Sequence, residues 1–293
     1  MSTWRLFCFG LGYTGLNLAR AWRNEGWHVA GTCRSEEKAE QLRREGITAL
    51  VFDGQQGAAG IAETLTGTTH LLNSVPPDEP GEPVLRHHGR ELEQAATGLQ
   101  WAGYLSTTGI YGDCAGTWID ETQPPAPLTT ANQRRLTGEQ AWLDFGARTA
   151  VPTQIFRLPG IYGPNGRNAL DSLRAGHARR IVKAGQVFNR IHVDDLVATL
   201  LASMAKPNAG AIYNVADNEP APANEVMTFA AALLDVTPPP EERFEAIELA
   251  PFARHFYAEC KRMRNHRIKA ELSVQMRYPT YREGLRAISE GRL

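Results

Sequence analysis

Three glycines near the start of the chain have the spacing of a phosphate-binding turn. Gly10, Gly12 and Gly15 follow the apolar run 6–9 and open a helical pattern of apolar residues. In such a turn the first glycine permits a tight bend, the second lets a diphosphate approach the backbone, and the third lets helix and strand pack closely. The alternative is an ordinary glycine-rich turn. The residues predicted to hold the diphosphate are Gly10, Gly12, Tyr13, Thr14 and Gly15.

The end of the next predicted strand indicates which dinucleotide the turn would hold. An NAD-binding βαβ unit usually has an acid there for the ribose 2′-hydroxyl, but this chain has Arg34 followed by Ser35. A guanidinium stays charged and can donate two parallel hydrogen bonds to a phosphate. We therefore predict that Arg34 and Ser35 bind the 2′-phosphate of NADP, with NAD as the alternative. The competing interpretation is that Arg34 only lines a solvated loop.

Polar residues also follow other predicted strands, at the sheet edge where ligands bind in open α/β folds. Asp53 follows the strand predicted over 47–52 and could accept a hydrogen bond from an adenine amino group, or could simply be a turn residue. Asn73 and Ser74 close the strand predicted over 70–75 and are predicted to border the cofactor.

A cluster of hydroxyl groups ends the strand predicted over 101–105. It comprises Ser106, Thr107 and Thr108, followed by Gly109. Hydroxyl groups at such a position can bind a carbonyl or alkoxide oxygen of a substrate. The alternative is that they only cap a loop.

The elements that must position these residues alternate between strand and helix over the first half of the chain. Beyond the glycine–proline turn at 159–166 the alternation weakens. Helices are expected over 35–45, 85–99, 128–145, 194–204 and 223–234, the fourth capped by Asp194 or Asp195.

Composition excludes several classes of protein. The 293 residues carry a formal net charge of −1, so no general nucleic-acid or membrane interaction is expected. No apolar stretch has membrane-spanning length, and a signal peptide would have no room before the first strand. The four cysteines lack CxxC pairing, which argues against both a zinc site and a disulfide scaffold and favours a reducing cytoplasm. His87 and His88 are adjacent and cannot share a helix face, so no metal site is predicted.

Several segments in this order resemble the extended short-chain dehydrogenases/reductases, in their epimerase–dehydratase branch. The segments are 10–15 (GLGYTG), 106–112 (STTGIYG), 157–164 (RLPGIYGP), 190–195 (RIHVDD) and 213–215 (YNV). The resemblance implies an α/β fold: a Rossmann-type doubly wound parallel sheet with a smaller C-terminal substrate lobe. The implied domains are 1–163 and 164–293, with 188–215 returning to the Rossmann core. It also implies that Thr107 is the catalytic Ser/Thr and that Pro159 and Ile161 lie in the loop against the nicotinamide.

One departure concerns the family's proton donor, a Tyr with a Lys four residues later on the same helix face. With Pro127 and Glu139 as anchors, Ala131 falls at the tyrosine and Arg135 at the lysine. Alanine cannot donate a proton, whereas Arg135 could still grip a ribose or phosphate. This pattern resembles the atypical branch of the family.

Two functions remain open. The first is an NADP-dependent oxidoreductase or nucleotide-sugar epimerase-like enzyme with a relocated acid, for which Tyr111 and Tyr162 are candidates and His192 a weaker one. The second is a non-catalytic NADP-binding sensor or regulatory module; a structural remnant is a third interpretation. The basic residues within 261–269 favour an anionic small-molecule substrate, such as a nucleotide sugar, unless they form only a solvated surface. The resemblance also makes a homodimer an open alternative.

Overall fold

The computed structural model describes residues 4–292, apart from the side chains of residues 251 and 252. Residues 1–3 and 293, which the predicted domains include, lie outside the described residues. The strands are β1 (Arg5–Phe9), β2 (His28–Cys33), β3 (Thr48–Val51), β4 (His70–Asn73), β5 (Trp101–Thr107), β6 (Trp118–Ile119), β7 (Thr153–Leu158), β8 (Gly160–Tyr162), β9 (Arg180–Val182), β10 (Arg190–His192), β11 (Ile212–Asn214), β12 (Glu241–Arg243) and β13 (Arg262–Met263). The α-helices are α1 (Tyr13–Asn24), α2 (Glu36–Arg44), α3 (Ile61–Leu65), α4 (Pro83–Ala95), α5 (Thr130–Thr149), α6 (Ala169–Arg174), α7 (Val193–Ala205), α8 (Ala223–Leu233), α9 (Pro251–Phe256), α10 (His266–Leu272) and α11 (Tyr281–Ser289).

Seven of the described strands form one sheet, in the order β11–β7–β5–β4–β1–β2–β3. β1 pairs in parallel with both β2 and β4, so that Leu6 lies opposite Val29 on one side and His70 on the other. The pairs β2–β3 and β4–β5 are also parallel. The chain thus moves outward from β1 in both directions, and the order reverses between β1 and β4. This confirms the predicted α/β class with a doubly wound sheet, in which ligands bind at that reversal.

The first strand and helix show why the sequence folds this way. Residues 6–9 of β1 are at most 1% exposed, because a parallel sheet covered by helices on both faces needs a continuous apolar run. α1 buries Leu18, Ala19 and Trp22 along one face, as its apolar periodicity predicts. The predicted strand–turn–helix–strand unit is therefore confirmed.

The amino edge of the sheet is closed by an aromatic cluster. Trp4, Trp22, Trp27 and His70 pack with ring centroids between 4.3 and 5.7 Å apart. Burial lowers the pKa of His70 to about 4, so its ring is neutral at pH 7. The packed rings leave the amino edge of the sheet to an apolar cluster. The glycine turn lies at the opposite, carboxyl edge.

The chain divides into two compact units. Unit 1 comprises Met1–Ile110, Thr129–Arg157 and Val197–Tyr213, and unit 2 comprises Tyr111–Leu128, Leu158–Leu196 and Asn214–Leu293. Unit 1 holds the large sheet. Unit 2 contains short parallel strand pairs, β8–β10, β9–β12 and β6–β13, and an apolar cluster built on α6, α8 and α11.

Several expectations about the helices were inaccurate. The short helices α3, α6, α9, α10 and α11 were not predicted, because their five to nine residues are too few to show periodicity. The helix expected over 85–99 ends at Ala95 and continues as a 3₁₀ turn over Ala96–Gly98. α7 begins at Val193, so Asp194 and Asp195 lie in its first turn and neither caps it. In the part of the chain that the structure describes, no helix combines the length and apolar character needed to cross a bilayer.

Candidate dinucleotide-binding site

The turn between β1 and α1 requires glycine at two of its three predicted positions. Gly10 has φ of +87°, which side-chain-bearing residues rarely adopt, and a Cβ atom there would lie 3.0 Å from the Ser74 hydroxyl oxygen. A Cβ atom at Gly15 would overlap the carbonyl oxygen of Gly10. Gly12 is different, because no described atom would lie within 4 Å of a Cβ atom there. The backbone at Gly12 is therefore open to an incoming group.

The amino end of α1 is also open. Gly12 provides no side-chain cap, and the first turn contains no acidic residue. The helices that start nearby are capped by side chains: Ser35 caps α2, Glu82 caps α4 and Thr129 caps α5. Uncapped amide groups and the positive end of the helix dipole suit an anion such as a diphosphate.

Two side chains from neighbouring strands hold the turn in place. The amide of Gly10 donates to the Thr32 hydroxyl at 2.9 Å, and the amide of Leu11 donates to the Thr32 carbonyl at 2.7 Å. The Ser74 hydroxyl donates to the Gly10 carbonyl at 3.0 Å. Ser74, predicted to border the cofactor, therefore has a positioning role in the structure. Thr32 was missed, since a buried threonine in a strand has no distinctive sequence signal.

Asn73 ends β4 and lies opposite Phe9 of β1 in the sheet. Its side chain is fully buried, donates to Glu82 at 2.8 Å and accepts from the Val75 amide at 2.9 Å. Glu82 accepts from the Leu85 amide as the cap of α4, and burial raises the pKa of this carboxyl. The Asn73 side chain thus joins the end of β4 to the start of α4, and its predicted place at the border of the cofactor stays a prediction.

Arg34 and Ser35 have different environments. The Ser35 hydroxyl accepts from the Lys38 amide at 3.3 Å, which assigns it to the cap of α2. Arg34 is exposed directly after β2, and among the described residues none accepts a hydrogen bond from its guanidinium. The predicted phosphate role therefore rests on Arg34, with Ser35 shaping the start of the helix.

The loop after β3 carries Asp53. This residue is exposed, and its carboxylate accepts from the Gln55 amide at 2.9 Å. Arg86 and His87 of α4 each donate to the Gly54 carbonyl at 3.1 Å. Since α4 thereby fixes the start of the loop, Asp53 is held at the carboxyl edge of the sheet; its contact with adenine stays a prediction. His87 takes part in this contact, and no cluster able to hold a metal occurs among the described residues.

Thr107 and Ser106, in the hydroxyl cluster at the end of β5, have different roles. Thr107 is partly exposed, and its oxygen accepts from the Gly109 amide at 3.1 Å, which leaves its own proton available to a ligand. Ser106 is buried and donates to Glu139. Glu139 also pairs with Arg157 at 2.8 Å, and the two side chains are 3% and 4% exposed. This buried network, not identified from the sequence, joins β5, α5 and β7 beneath Thr107.

Arg135 occupies the position of the family's lysine but has other partners. One of its terminal nitrogens donates to the Leu105 carbonyl at 3.1 Å, with longer contacts to Tyr104 and the Val75 carbonyl. The guanidinium carbon also lies 5.7 Å from the centre of the Tyr104 ring. The structure therefore shows Arg135 joining the ends of β4 and β5, and its predicted catalytic grip on a ribose stays a prediction. Ala131, at the tyrosine position, is exposed on the first turn of α5.

Unit 2 contains the candidate replacement acids. The Tyr111 hydroxyl is buried and donates to Asn214 at 2.8 Å. Burial raises the pKa of Tyr162 above its usual range, which disfavours proton donation. Burial lowers the pKa of His192 to about 4, so it is neutral near pH 7. Tyr162 and His192 therefore lack the environment of an activated acid, and the catalytic role of Tyr111 stays a prediction.

Other residues singled out in unit 2 have structural partners. Asp195 accepts from the amides of Arg277 and Tyr278, at 2.7 and 2.9 Å, where a capping role was expected. Pro159 separates β7 from β8, and Ile161 of β8 lies opposite Ile191 in a parallel pair. Their predicted contact with a nicotinamide stays a prediction.

Basic side chains of the segment 261–269 form hydrogen bonds and ion pairs within unit 2. Lys261 is 6% exposed and donates to the Gly112 carbonyl and to Glu259, both at 2.6 Å. Arg267 pairs with Glu271 at 2.7 Å. These contacts weaken the case for an anion site at this segment.

Comparison with known proteins gives one consistent assignment. The family model described as "NAD dependent epimerase/dehydratase family" matches residues 10–216. Protein YeeZ of Escherichia coli strain K12 is 30% identical over 241 residues, covering 78% of this chain and 84% of YeeZ. A conserved protein of unknown function from Silicibacter pomeroyi DSS is 43% identical, with a TM-score of 0.89 and 99% of each chain covered. The fold is also that of a UDP-glucuronic acid 4-epimerase from Bacillus cereus, solved in complex with UDP-glucuronic acid and NAD (TM-score 0.74, 15% identity, 98% of each chain). The chain therefore belongs to the NAD-dependent epimerase/dehydratase family.

Proposed function

We propose that this chain binds NADP at the glycine turn and acts as an NADP-dependent oxidoreductase or nucleotide-sugar epimerase-like enzyme with a non-standard active site. The observation that carries the proposal is the exposed Arg34, which follows β2 where an NAD enzyme has an acid. The backbone open at Gly12 and the uncapped start of α1 fit the diphosphate of such a cofactor. When bound, the cofactor would supply hydride transfer at its nicotinamide.

The chain's own contribution to the chemistry centres on Thr107. Its hydroxyl can donate to a carbonyl or alkoxide oxygen while its oxygen stays fixed by the Gly109 amide. The buried Ser106–Glu139–Arg157 network holds the strand end that carries Thr107, so the hydroxyl is preorganised. The nucleotide-sugar substrate class is supported by the UDP-glucuronic acid bound to the epimerase of similar fold.

Titration of NADP and NAD against wild type and Arg34→Ala tests the cofactor assignment. If the guanidinium binds the 2′-phosphate, the variant should lose roughly 10- to 100-fold in NADP affinity and little in NAD affinity. Arg44→Ala is the matched control, since Arg44 is an exposed arginine of α2 whose side chain is 78% exposed. Equal losses for both nucleotides, or unchanged NADP binding, would contradict the assignment.

A second candidate function is a non-catalytic NADP-binding module. Ala131 supports it, because this side chain cannot donate a proton at the position of the family's tyrosine. Arg135 supports it as well, because its guanidinium is engaged with the ends of β4 and β5.

A further inference from the structure

Two of the four cysteines lie side by side in unit 2 although they are far apart in the sequence. The amide of Cys114 donates to the carbonyl of Cys260 at 3.1 Å, and the amide of Gly116 donates to the same carbonyl at 2.9 Å. The amide of Cys260 in turn donates to the Asp113 carboxylate at 2.8 Å. The loop over 113–116 and the segment around Cys260 are therefore joined through their backbones.

This backbone contact limits the distance between the two cysteines. Standard bond lengths and a 3.1 Å hydrogen bond place the two Cα atoms no more than about 7 Å apart. Disulfides span Cα separations of about 4.4 to 6.8 Å, so the backbone lies within reach of a bridge. Closure requires side-chain rotation, because the Cys114 thiol now faces the Tyr111 carbonyl and the Cys260 thiol faces the Gly185 carbonyl.

The two cysteines of this pair are less buried than the other two. Cys114 and Cys260 are half-buried, whereas Cys8 and Cys33 are buried in the large sheet of unit 1. A Cβ atom added at Gly116 would lie 3.5 Å from the Cys260 sulfur, so glycine at this position keeps the space beside that sulfur free of a side chain. A small oxidant can therefore reach this pair before the other two thiols.

We propose that Cys114 and Cys260 form an oxidisable dithiol that closes to a disulfide when the protein reacts with hydrogen peroxide. One thiolate attacks the O–O bond, which gives a sulfenic acid and releases water after protonation. The second thiol then attacks the sulfenic sulfur, which forms the S–S bond and releases a second water. Two thiols lose two electrons in total, and one peroxide is reduced to two waters.

The environment of the pair sets its reactivity. Burial raises the pKa of the Cys114 thiol, while the charge of Lys261 acts in the opposite direction. Since the thiolate is the nucleophile, oxidation should be slow near pH 7 and faster toward pH 9. The disulfide would tie the loop that follows Tyr111 to the segment preceding β13. This proposal does not depend on the binding of a cofactor.

Peroxide treatment of the full-length reduced protein tests the proposal. Hydrogen peroxide should lower the mass by about 2 Da, and the thiols titrated in denaturant should fall from four to two. Peptide mapping without reductant should show one linked pair containing Cys114 and Cys260, and reductant should restore all four thiols.

Three single variants complete the design. Cys114→Ser and Cys260→Ser should each abolish the linked peptide, whereas Cys33→Ser should retain it as the matched control. Because the first measurements use wild-type protein, they stand even if a variant folds poorly. Four remaining thiols, oxygen addition without a linked peptide, a bridge between other cysteines or a disulfide between two chains would each overturn the proposal.

Discussion

At the scale of single residues, small changes at the edge of the sheet decide which chemistry is available. Ala131 stands at the position of the family's tyrosine and cannot donate a proton. The Arg135 guanidinium contacts backbone carbonyls and the Tyr104 ring. Thr107 keeps a hydroxyl with a proton to donate, fixed through the Gly109 amide. A substitution at Thr107 is therefore the test that best distinguishes an enzyme from a binding module.

We predict that Thr107→Val sharply lowers turnover without weakening cofactor binding. Valine has the same shape but lacks the donor, and loss of one such donor reduces turnover roughly 10²- to 10³-fold. The measurement is NADPH oxidation over a panel of nucleotide sugars and carbonyl compounds, beside NADP affinity. Thr137→Val, on an exposed face of α5, is the control. Absence of turnover in wild type would favour the binding module, and unchanged turnover in Thr107→Val would remove Thr107 from the mechanism.

At the scale of elements, the start of α1 combines a crowded glycine with an open one. Gly15 touches the Gly10 carbonyl so closely that a methyl group cannot fit without moving backbone. Gly12 has extended backbone angles, φ −80° and ψ −160°, that alanine also adopts. In this turn Gly15 therefore allows close packing of the backbone, whereas Gly12 leaves space for an approaching group.

Alanine at Gly15 should mainly lower stability, whereas alanine at Gly12 should mainly weaken NADP binding. Gly15→Ala should lower the free energy of unfolding by roughly 1 to 3 kcal/mol, because the added methyl overpacks the turn. Gly12→Ala should leave stability within roughly 0.5 kcal/mol, because it adds a methyl in open space. It should weaken NADP binding tenfold or more, about 1.4 kcal/mol, if the diphosphate approaches there. Denaturant unfolding and NADP titration measure the two effects; a stable Gly12→Ala that binds NADP normally would count against the turn as the site.

At the scale of the whole molecule, buried ionisable groups make stability depend on pH in opposing ways. Burial raises the pKa of Asp217 to about 7, although nearby Arg190 acts in the opposite direction. One of its carboxylate oxygens has no hydrogen-bond partner among the described residues. His70 and His192, each with a pKa lowered to about 4, remain neutral in the fold and favour higher pH.

Asp217→Asn isolates the carboxylate contribution. The pKa of Asp217 is higher in the folded protein than in the unfolded chain. Its contribution to the free energy of unfolding is therefore fully present below about pH 4 and is lost as the pH rises through about 7. The stability of wild type relative to the variant should therefore fall by up to roughly 4 kcal/mol between pH 4 and 8. Urea unfolding of both proteins across this range measures the difference, in which the histidine contributions cancel. Asp144→Asn, exposed on α5, controls for loss of charge, and parallel curves for wild type and Asp217→Asn would contradict the prediction.

The sequence predicted the parts of the site that depend on local backbone chemistry. The spacing of Gly10, Gly12 and Gly15 already implied a tight bend, an open backbone and a close helix–strand contact, because those requirements act within a few residues. It could not predict that Ser74 and Thr32 hold the turn. Their roles follow from strand order, which brings the ends of β2 and β4 to either side of β1.

What the sequence alone determined is the α/β pattern, the glycine turn and the absence of the tyrosine–lysine pair, since each depends on residue type and short spacing. Only the tertiary structure decided how polar side chains are used. In the fold, Asn73 donates a hydrogen bond to Glu82, Arg135 contacts the ends of β4 and β5, and Glu139 forms an ion pair with Arg157. The physical reason is that a buried polar group must find a partner, and the partners available depend on which distant segments the fold brings together.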